Sequence, residues 1–191
     1  MNNDDYLELF RQTGALKEGH FILTSGRHSH TYFQCALVLQ YPRYLQMMAE
    51  AIGEHFQVET IDVIISPAVG GIVLGTAVGE VLDTRTIFAE RVNGVMTLRR
   101  GFQIHPGEHV LIVEDVITTG GSVQEVQELV HRAGGEVVGV ATIVDRSGGN
   151  VQLHSNQLSL VSLKAVSYPP DEIPPELARI PPQKPGSRKE L

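Results

Sequence analysis

Cysteine is nearly absent from this chain of 191 residues, where Cys35 stands alone. No intramolecular disulfide can form, which excludes a small scaffold built on disulfides. The thiol has no matching His/Asn signature and reads as a packing residue rather than a nucleophile. Basic residues are also in deficit. Fifteen Lys and Arg against 22 Asp and Glu leave a net charge of −7, so a surface that holds nucleic acid by clustered cations is not expected. Long apolar runs are missing too. The most apolar stretch, residues 63–79, is broken by Ser66-Pro67 and by glycines, and falls short of the ~20 residues a membrane span needs. The opening MNNDDYLELF is acidic and polar, unlike a signal peptide. The eight histidines show no zinc spacing, and His28 and His30, two apart on a turn, make a poor metal site. What remains is a globular chain of one-domain size, 42% hydrophobic and 19% charged. The expectation is a cytoplasmic enzyme or binding protein with neither nucleic acid nor membrane as partner.

Apolar strands alternate with helices along the middle of the chain. A helix is expected over residues 3–13, stopped by Gly14, and strands and loops over 17–39. Pro42 opens a helix that runs to Phe56. Ile61–Ser66 reads as a strand and Gly70–Leu82 as a helix. Gly71, Gly75 and Gly79 share one face of that helix, where they let its backbone lie close to a sheet. Further strands are expected at Thr86–Ala89, Val110–Val113 and Val137–Val144, with a helix at Ser122–Ala133. This is the pattern of a parallel sheet covered on both faces. Val92-Asn93-Gly94-Val95 is a two-residue hairpin signal. The hairpin carries Arg91 on one arm and Thr97, Arg99 and Arg100 just beyond the other. It reads either as a solvated surface hairpin or as a mobile lid that brings cations to an anionic ligand. Seven prolines after Tyr168 argue for a tail, loose or draped over the core.

The segment Val110-Leu111-Ile112-Val113-Glu114-Asp115-Val116-Ile117-Thr118-Thr119-Gly120-Gly121-Ser122 carries the chemistry. A buried strand ends in two carboxylates, a Thr/Gly loop follows, and a helix begins. Ligands of open parallel sheets sit beyond the carboxyl ends of the strands. Backbone N–H groups, hydroxyls and a helix N-terminus make a phosphate cradle that needs no basic surface. Glu114 and Asp115 would repel a phosphate. They suit a vicinal diol such as the ribose 2′- and 3′-hydroxyls, directly or through Mg²⁺. A cradle beside a diol clamp describes a site for ribose 5-phosphate. It is not a Walker loop, since no Gly-Lys-Ser/Thr follows, and it lacks the three-glycine dinucleotide spacing.

At Val110–Ser122 the chain resembles the type I phosphoribosyltransferases, which bind 5-phosphoribosyl 1-diphosphate (PRPP) with this strand, acidic pair and Thr/Gly loop. Lys17-Glu18-Gly19-His20-Phe21-Ile22-Leu23-Thr24-Ser25-Gly26-Arg27-His28-Ser29, the following Tyr32-Phe33, and Val144-Asp145-Arg146 are similar to the base-side motifs of orotate phosphoribosyltransferases. The likeness covers roughly residues 14–150.

The resemblance implies a type I phosphoribosyltransferase fold, an α/β architecture with a central parallel sheet flanked by helices. Residues 1–40 would give an N-terminal helix and hood. Residues 41–165 would form the PRPP-binding core with its lid near 90–101. Residues 166–191 would form a tail that is a second candidate for the hood. PRPP would be met by Glu114 to Ser122 and by Val69, Gly70 and Gly71. Orotate would be met by Thr118, Arg146, Tyr32, Phe33 and Ser25. Mg²⁺ would ride on the diphosphate and ribose, with Glu114 and Asp115 as candidate ligands. Arg91, Arg99, Arg100 and Asp115 would carry catalysis, in a homodimer with shared sites.

An Arg at a strand end suits a planar anion, although Arg146 could instead pair with Asp145, and Tyr32-Phe33 could be core. The likeness also has gaps. Where relatives carry a lysine in the diphosphate-side loop, this chain has Ser66-Pro67-Ala68-Val69-Gly70-Gly71. Where they carry lid lysines and a histidine, it has Glu90–Arg100 with neither. Arginine holds diphosphate oxygens but does not readily donate a proton. Two other readings therefore stay open: a purine-type phosphoribosyltransferase, and a PRPP-sensing regulator without catalysis.

Overall fold

The computed structural model describes residues 1–23 and 25–185. The end of the expected tail, 186–191, lies outside the described residues. The chain runs α1 (Asn3–Gln12), β1 (Leu16–Ile22), β2 (His28–Phe33), α2 (Ala36–Leu39), α3 (Pro42–Phe56), β3 (Val63–Pro67), α4 (Gly70–Leu82), β4 (Arg85–Val92), β5 (Val95–Leu98), β6 (His109–Ile117), α5 (Gly121–Arg132), β7 (Glu136–Asp145), β8 (Gln157–Ser162), β9 (Ser167–Tyr168) and α6 (Pro175–Ala178). Among the described residues, six strands form one sheet in the order β5-β4-β3-β6-β7-β8. All its pairs are parallel except the β4–β5 hairpin. No helix among the described residues is long and apolar enough to cross a membrane.

The strands are apolar on both faces because both faces are covered. Ile64, Leu111 and Val113 pack with α1, α3 and α4 through Phe10, Met48, Ile52, Phe56 and Leu74. Their neighbours Val63, Ile65, Val110 and Ile112 pack on the opposite side with Val123, Val126 and Val130 of α5. Gly75 and Gly79 of α4 leave no room for a Cβ, because Ser66 and Thr86 of the sheet occupy that space. The expected close approach of this helix is therefore present. Asn93 (φ 51°) and Gly94 (φ 84°) both adopt the left-handed region between the paired Val92 and Val95. That is the hairpin turn the Asn-Gly pair demands.

Two expectations need correction. The strand at 110–113 does not stop at the carboxylates. It continues through Glu114, Asp115, Val116 and Ile117, which pair with β7 up to Ile117–Asp145. The parallel neighbour supplies the hydrogen bonds that hold these residues extended. Strand β8 was not anticipated at all. The Pro-rich segment is draped over the core and touches a sheet only at its edge. Ser167 and Tyr168 pair with Ser29 and His28, giving a small antiparallel sheet of order β1-β2-β9. Proline stays off this ladder, as its missing N–H requires. Farther along, the Gln183 N–H donates to the His20 carbonyl (2.8 Å) and the Ile22 N–H donates to the Gln183 carbonyl (2.8 Å). Leu177 of α6 is fully buried.

Candidate active site

The site lies at the carboxyl ends of β3, β4, β6 and β7. Gly120 (φ +79°) turns the chain from the loop into α5, and a Cβ there would meet Leu153 at 2.7 Å and Val151 at 3.0 Å. Only glycine fits this corner. No side chain caps α5, so its first N–H groups face outward beside the exposed Thr118 and Thr119. Glu114, Val116, Ile117, Thr118, Thr119, Gly120, Gly121, Ser122 and Val123 line a small open cavity. Ile117 contributes backbone alone, because its side chain is 1% exposed and sits in the core. Val116 is half-buried, and its N–H donates to Asp115 Oδ1 (3.0 Å).

The two carboxylates differ in setting. Glu114 is buried, and burial pushes its carboxyl well above the usual carboxylate range, with the neighbouring Asp115 adding to the shift. Its Oε1 accepts from the Asp115 N–H (3.2 Å). Asp115 is half-exposed and reaches toward the head of α4. A Cβ on Gly70 would fall 2.6 Å from the Asp115 Cγ and Oδ1. Gly70 therefore keeps clear the space that the Asp115 carboxylate occupies. Its neighbour Val69 is 80% exposed at the start of α4, and a Cβ on Gly71 would crowd the Val113 carbonyl at 2.9 Å. The carboxylates offer hard oxygen donors of the kind Mg²⁺ takes when the rest of its shell is phosphate and water.

Arg146 sits at the end of β7, and its N–H donates to the Ile117 carbonyl at 2.8 Å. This bond fastens it to the strand that leads into the cradle. Arg146 is part-buried, burial lowers its pKa, and its Nε is buried without a partner. The alternative pairing with Asp145 is not made. Asp145 instead accepts from the Ser147 N–H (2.7 Å), the Gly149 N–H (2.8 Å) and the Ser162 hydroxyl (3.3 Å). Tyr32 lies within electrostatic reach of Arg146 and Asp115, and burial raises its hydroxyl pKa. Phe33 points the other way along β2 and stacks edge-on against Phe10 at 6.1 Å. With 5% exposure, it is core. Ser25 is exposed on the β1–β2 turn. Cys35 also lies within reach of Asp115, Glu114 and Arg146, and burial pushes its thiol well up, toward the neutral form.

The three arginines of the hairpin are all engaged by carboxylates. Arg91 reaches Glu125 of α5 (Nη2 to Oε1 2.7 Å, Nε to Oε2 3.2 Å) and comes 3.4 Å from the Ser122 hydroxyl. Arg99 and Arg100 converge on Glu90, at 3.9 and 3.2 Å. Glu125 was missed by sequence reasoning, since no motif links it to a residue 34 positions earlier.

Residues 37–167 match the phosphoribosyl transferase domain family. The orotate phosphoribosyltransferase of Chlorobium phaeobacteroides (strain DSM 266) is 55% identical over 188 residues, covering 98% of this chain and 97% of that protein. Among solved structures, an orotate phosphoribosyltransferase from Aeropyrum pernix is similar with a TM-score of 0.71 at 22% identity, over 82% of this chain and 93% of that one. An adenine phosphoribosyltransferase from Rhodothermus marinus is similar with a TM-score of 0.64 at 26% identity, over 84% of this chain and 100% of that one. The fold is thus common to proteins named for different bases, and identity over nearly the whole length is what separates them. On that measure the chain belongs to the orotate phosphoribosyltransferase family.

Proposed function

We propose that the chain carries out its family's reaction, transfer of the 5-phosphoribosyl group from PRPP to orotate, with the following division of work. The 5-phosphate of PRPP rests in the cradle of Thr118–Ser122. Asp115 and Glu114 receive the ribose diol, and the backbone of Val69–Gly71 receives diphosphate oxygens. Asp115 and Glu114 would also hold Mg²⁺, which when bound neutralises part of the diphosphate charge. Orotate lies against Arg146 and Tyr32. The C1–O bond to diphosphate breaks, positive charge builds on the ribose ring, and orotate N1 bonds to C1 as its proton passes to an oxygen of the departing diphosphate. The products are orotidine 5′-monophosphate and diphosphate. The protein supplies positioning and charge stabilisation, with no covalent nucleophile. Closure of the hairpin, with Arg99 and Arg100, would keep out the water that hydrolyses PRPP. We place the enzyme in the cytoplasm as a homodimer with shared sites.

One observation carries the choice of base. Arg146 is a part-buried cation whose Nε is buried and unpaired, bonded through its own backbone to the strand that enters the cradle. A buried guanidinium calls for an anion. Orotate brings a planar carboxylate, whereas a purine brings none.

The test is diphosphate release from PRPP and Mg²⁺ with orotate, uracil, adenine, guanine, hypoxanthine or xanthine supplied separately. Release with orotate alone is expected. Release with a purine would overturn the role given to Arg146. Saturable PRPP binding without release would move the protein to the regulators. Asp115→Asn should lower turnover with the circular dichroism spectrum intact, and loss of the fold would show that Asp115 is structural.

A further inference from the structure

Arg91 belongs to the hairpin by sequence but not by contact. Strand β4 carries Ile87 and Ala89 on the face that packs with α5, and Arg91 continues that face to the first turns of α5. There Glu125 grips it along one edge, accepting from Nε (3.2 Å) and Nη2 (2.7 Å). This ion pair is only about a third exposed on each side, and the bond to Glu125 raises the Arg91 pKa.

A guanidinium has five N–H groups in a rigid fork. The two bonds to Glu125 use the Nε hydrogen and one on Nη2. The second Nη2 hydrogen is directed to the Ser122 hydroxyl, 3.4 Å away, and the two on Nη1 remain. Glu125 therefore fixes the plane of Arg91 with its other edge toward Ser122, the last residue of the cradle. Without Glu125 the long side chain would sample many rotamers, and binding a ligand would carry the entropy cost of ordering it.

We infer that Glu125 is a positioning residue, which holds Arg91 as a preset ligand for the sugar 5-phosphate in the cradle. Arg91 is then part of the phosphate site. The hairpin cations that move with the lid are Arg99 and Arg100, on the other side of β4 with Glu90. The inference rests on the reading of Thr118–Ser122 as the phosphate cradle.

The experiment measures steady-state kinetics and ribose 5-phosphate affinity for Glu125→Gln, Glu125→Asp and Arg91→Ala in the full chain. For Glu125→Gln the KM for PRPP and the Kd for ribose 5-phosphate should each rise about tenfold, or about 1.4 kcal/mol, while kcat changes far less. Arg91→Ala should show the same pattern at least as strongly. Adding Glu125→Gln to Arg91→Ala should then cost little more. Glu125→Asp keeps the charge and should recover part of the affinity. Unchanged ribose 5-phosphate affinity in Glu125→Gln would overturn the inference, as would a second tenfold loss when it is added to Arg91→Ala. Gly120→Val separates the two readings. If it leaves ribose 5-phosphate binding intact, the cradle itself is misplaced. If it abolishes binding while Glu125→Gln does not weaken it, only the role of Glu125 fails.

Discussion

Gly70→Ala separates catalysis from folding at Asp115, the carboxylate proposed to serve catalysis. The added methyl would lie 2.6 Å from the Asp115 Cγ and Oδ1, where ordinary contact begins at 3.4 Å. The carboxylate must therefore retreat by about 0.8 Å, and a shift near ~1 Å at a reacting centre costs about 100-fold. The backbone at Gly70 is not left-handed, so alanine is not strained there. It gains at most ~1 kcal/mol in helix propensity, and less at the first turn. Against this stands loss of the bond from the Val116 N–H to Asp115, worth about 0.5–1.5 kcal/mol. The balance is within about 1 kcal/mol, or about 2–4 °C in Tm for a chain of this size. Steady-state turnover with PRPP and orotate, paired with thermal melting, reads both. The expected outcome is kcat/KM for PRPP down about 10- to 100-fold with Tm nearly unmoved. Native kcat/KM would refute the placement of Asp115. A large fall in Tm would show that the collision is borne by the fold.

Arg146→Leu should raise the KM for orotate by about 100-fold or more while the KM for PRPP holds. Melting of the free protein should not suffer, since the change removes a partly buried cation whose Nε has no partner. Equal losses for both substrates would disconnect Arg146 from the base. Glu114→Gln should flatten the pH dependence of stability. Burial raises the native Glu114 pKa, so the native state binds its proton more tightly than the unfolded chain does. Stability then declines as pH rises from about 4.3, the ordinary glutamate value, through the raised native value. Melting from pH 4 to 9 should show the glutamine variant gaining on the native protein as pH rises, and parallel curves would contradict the burial argument. Leu177→Ala should cost about 2–4 kcal/mol in urea unfolding, as for a fully buried leucine. A change below about 0.5 kcal/mol, the range of surface substitutions, would mean that α6 rests on the surface without supporting it.

The core was legible wherever local signals agreed. Pro42 and the apolar face behind it marked α3, the Asn93-Gly94 pair marked the hairpin, and the glycine stripe marked the helix that lies on the sheet. The Thr/Gly loop and the carboxylates before it were legible because they are contiguous. Features that depend on distant partners were not. Val116 and Ile117 remain in strand because β7 pairs with them, although the polar residues around them suggest a loop. Strand β8 has alternation too weak to announce itself. Seven prolines hide the fact that Ser167 and Tyr168 pair with β2. Glu125 gains meaning only once Arg91 folds back on it. Phe33 shows the limit of a resemblance: the pair Tyr32-Phe33 is present, but the pleat sends one ring toward Arg146 and the other into the core.

The closure of the small β1-β2-β9 sheet by Ser167 and Tyr168 has a consequence in time. His28 meets Tyr168, and the His20 ring meets the Ile180 carbonyl (2.8 Å) across 160 positions of chain. Synthesis runs from the amino end, so β1 and β2 wait for β9, a partner more than 130 residues farther along the chain. The strand and helix on either side of the Thr118–Ser122 loop, and the β7 that pairs with that strand, have all emerged before the segment bearing Ser167 does. Assembly on the ribosome is thus ordered: the part of the pocket built by β6, β7 and α5 can form first, and the small sheet can close only after Ser167 and Tyr168 have emerged.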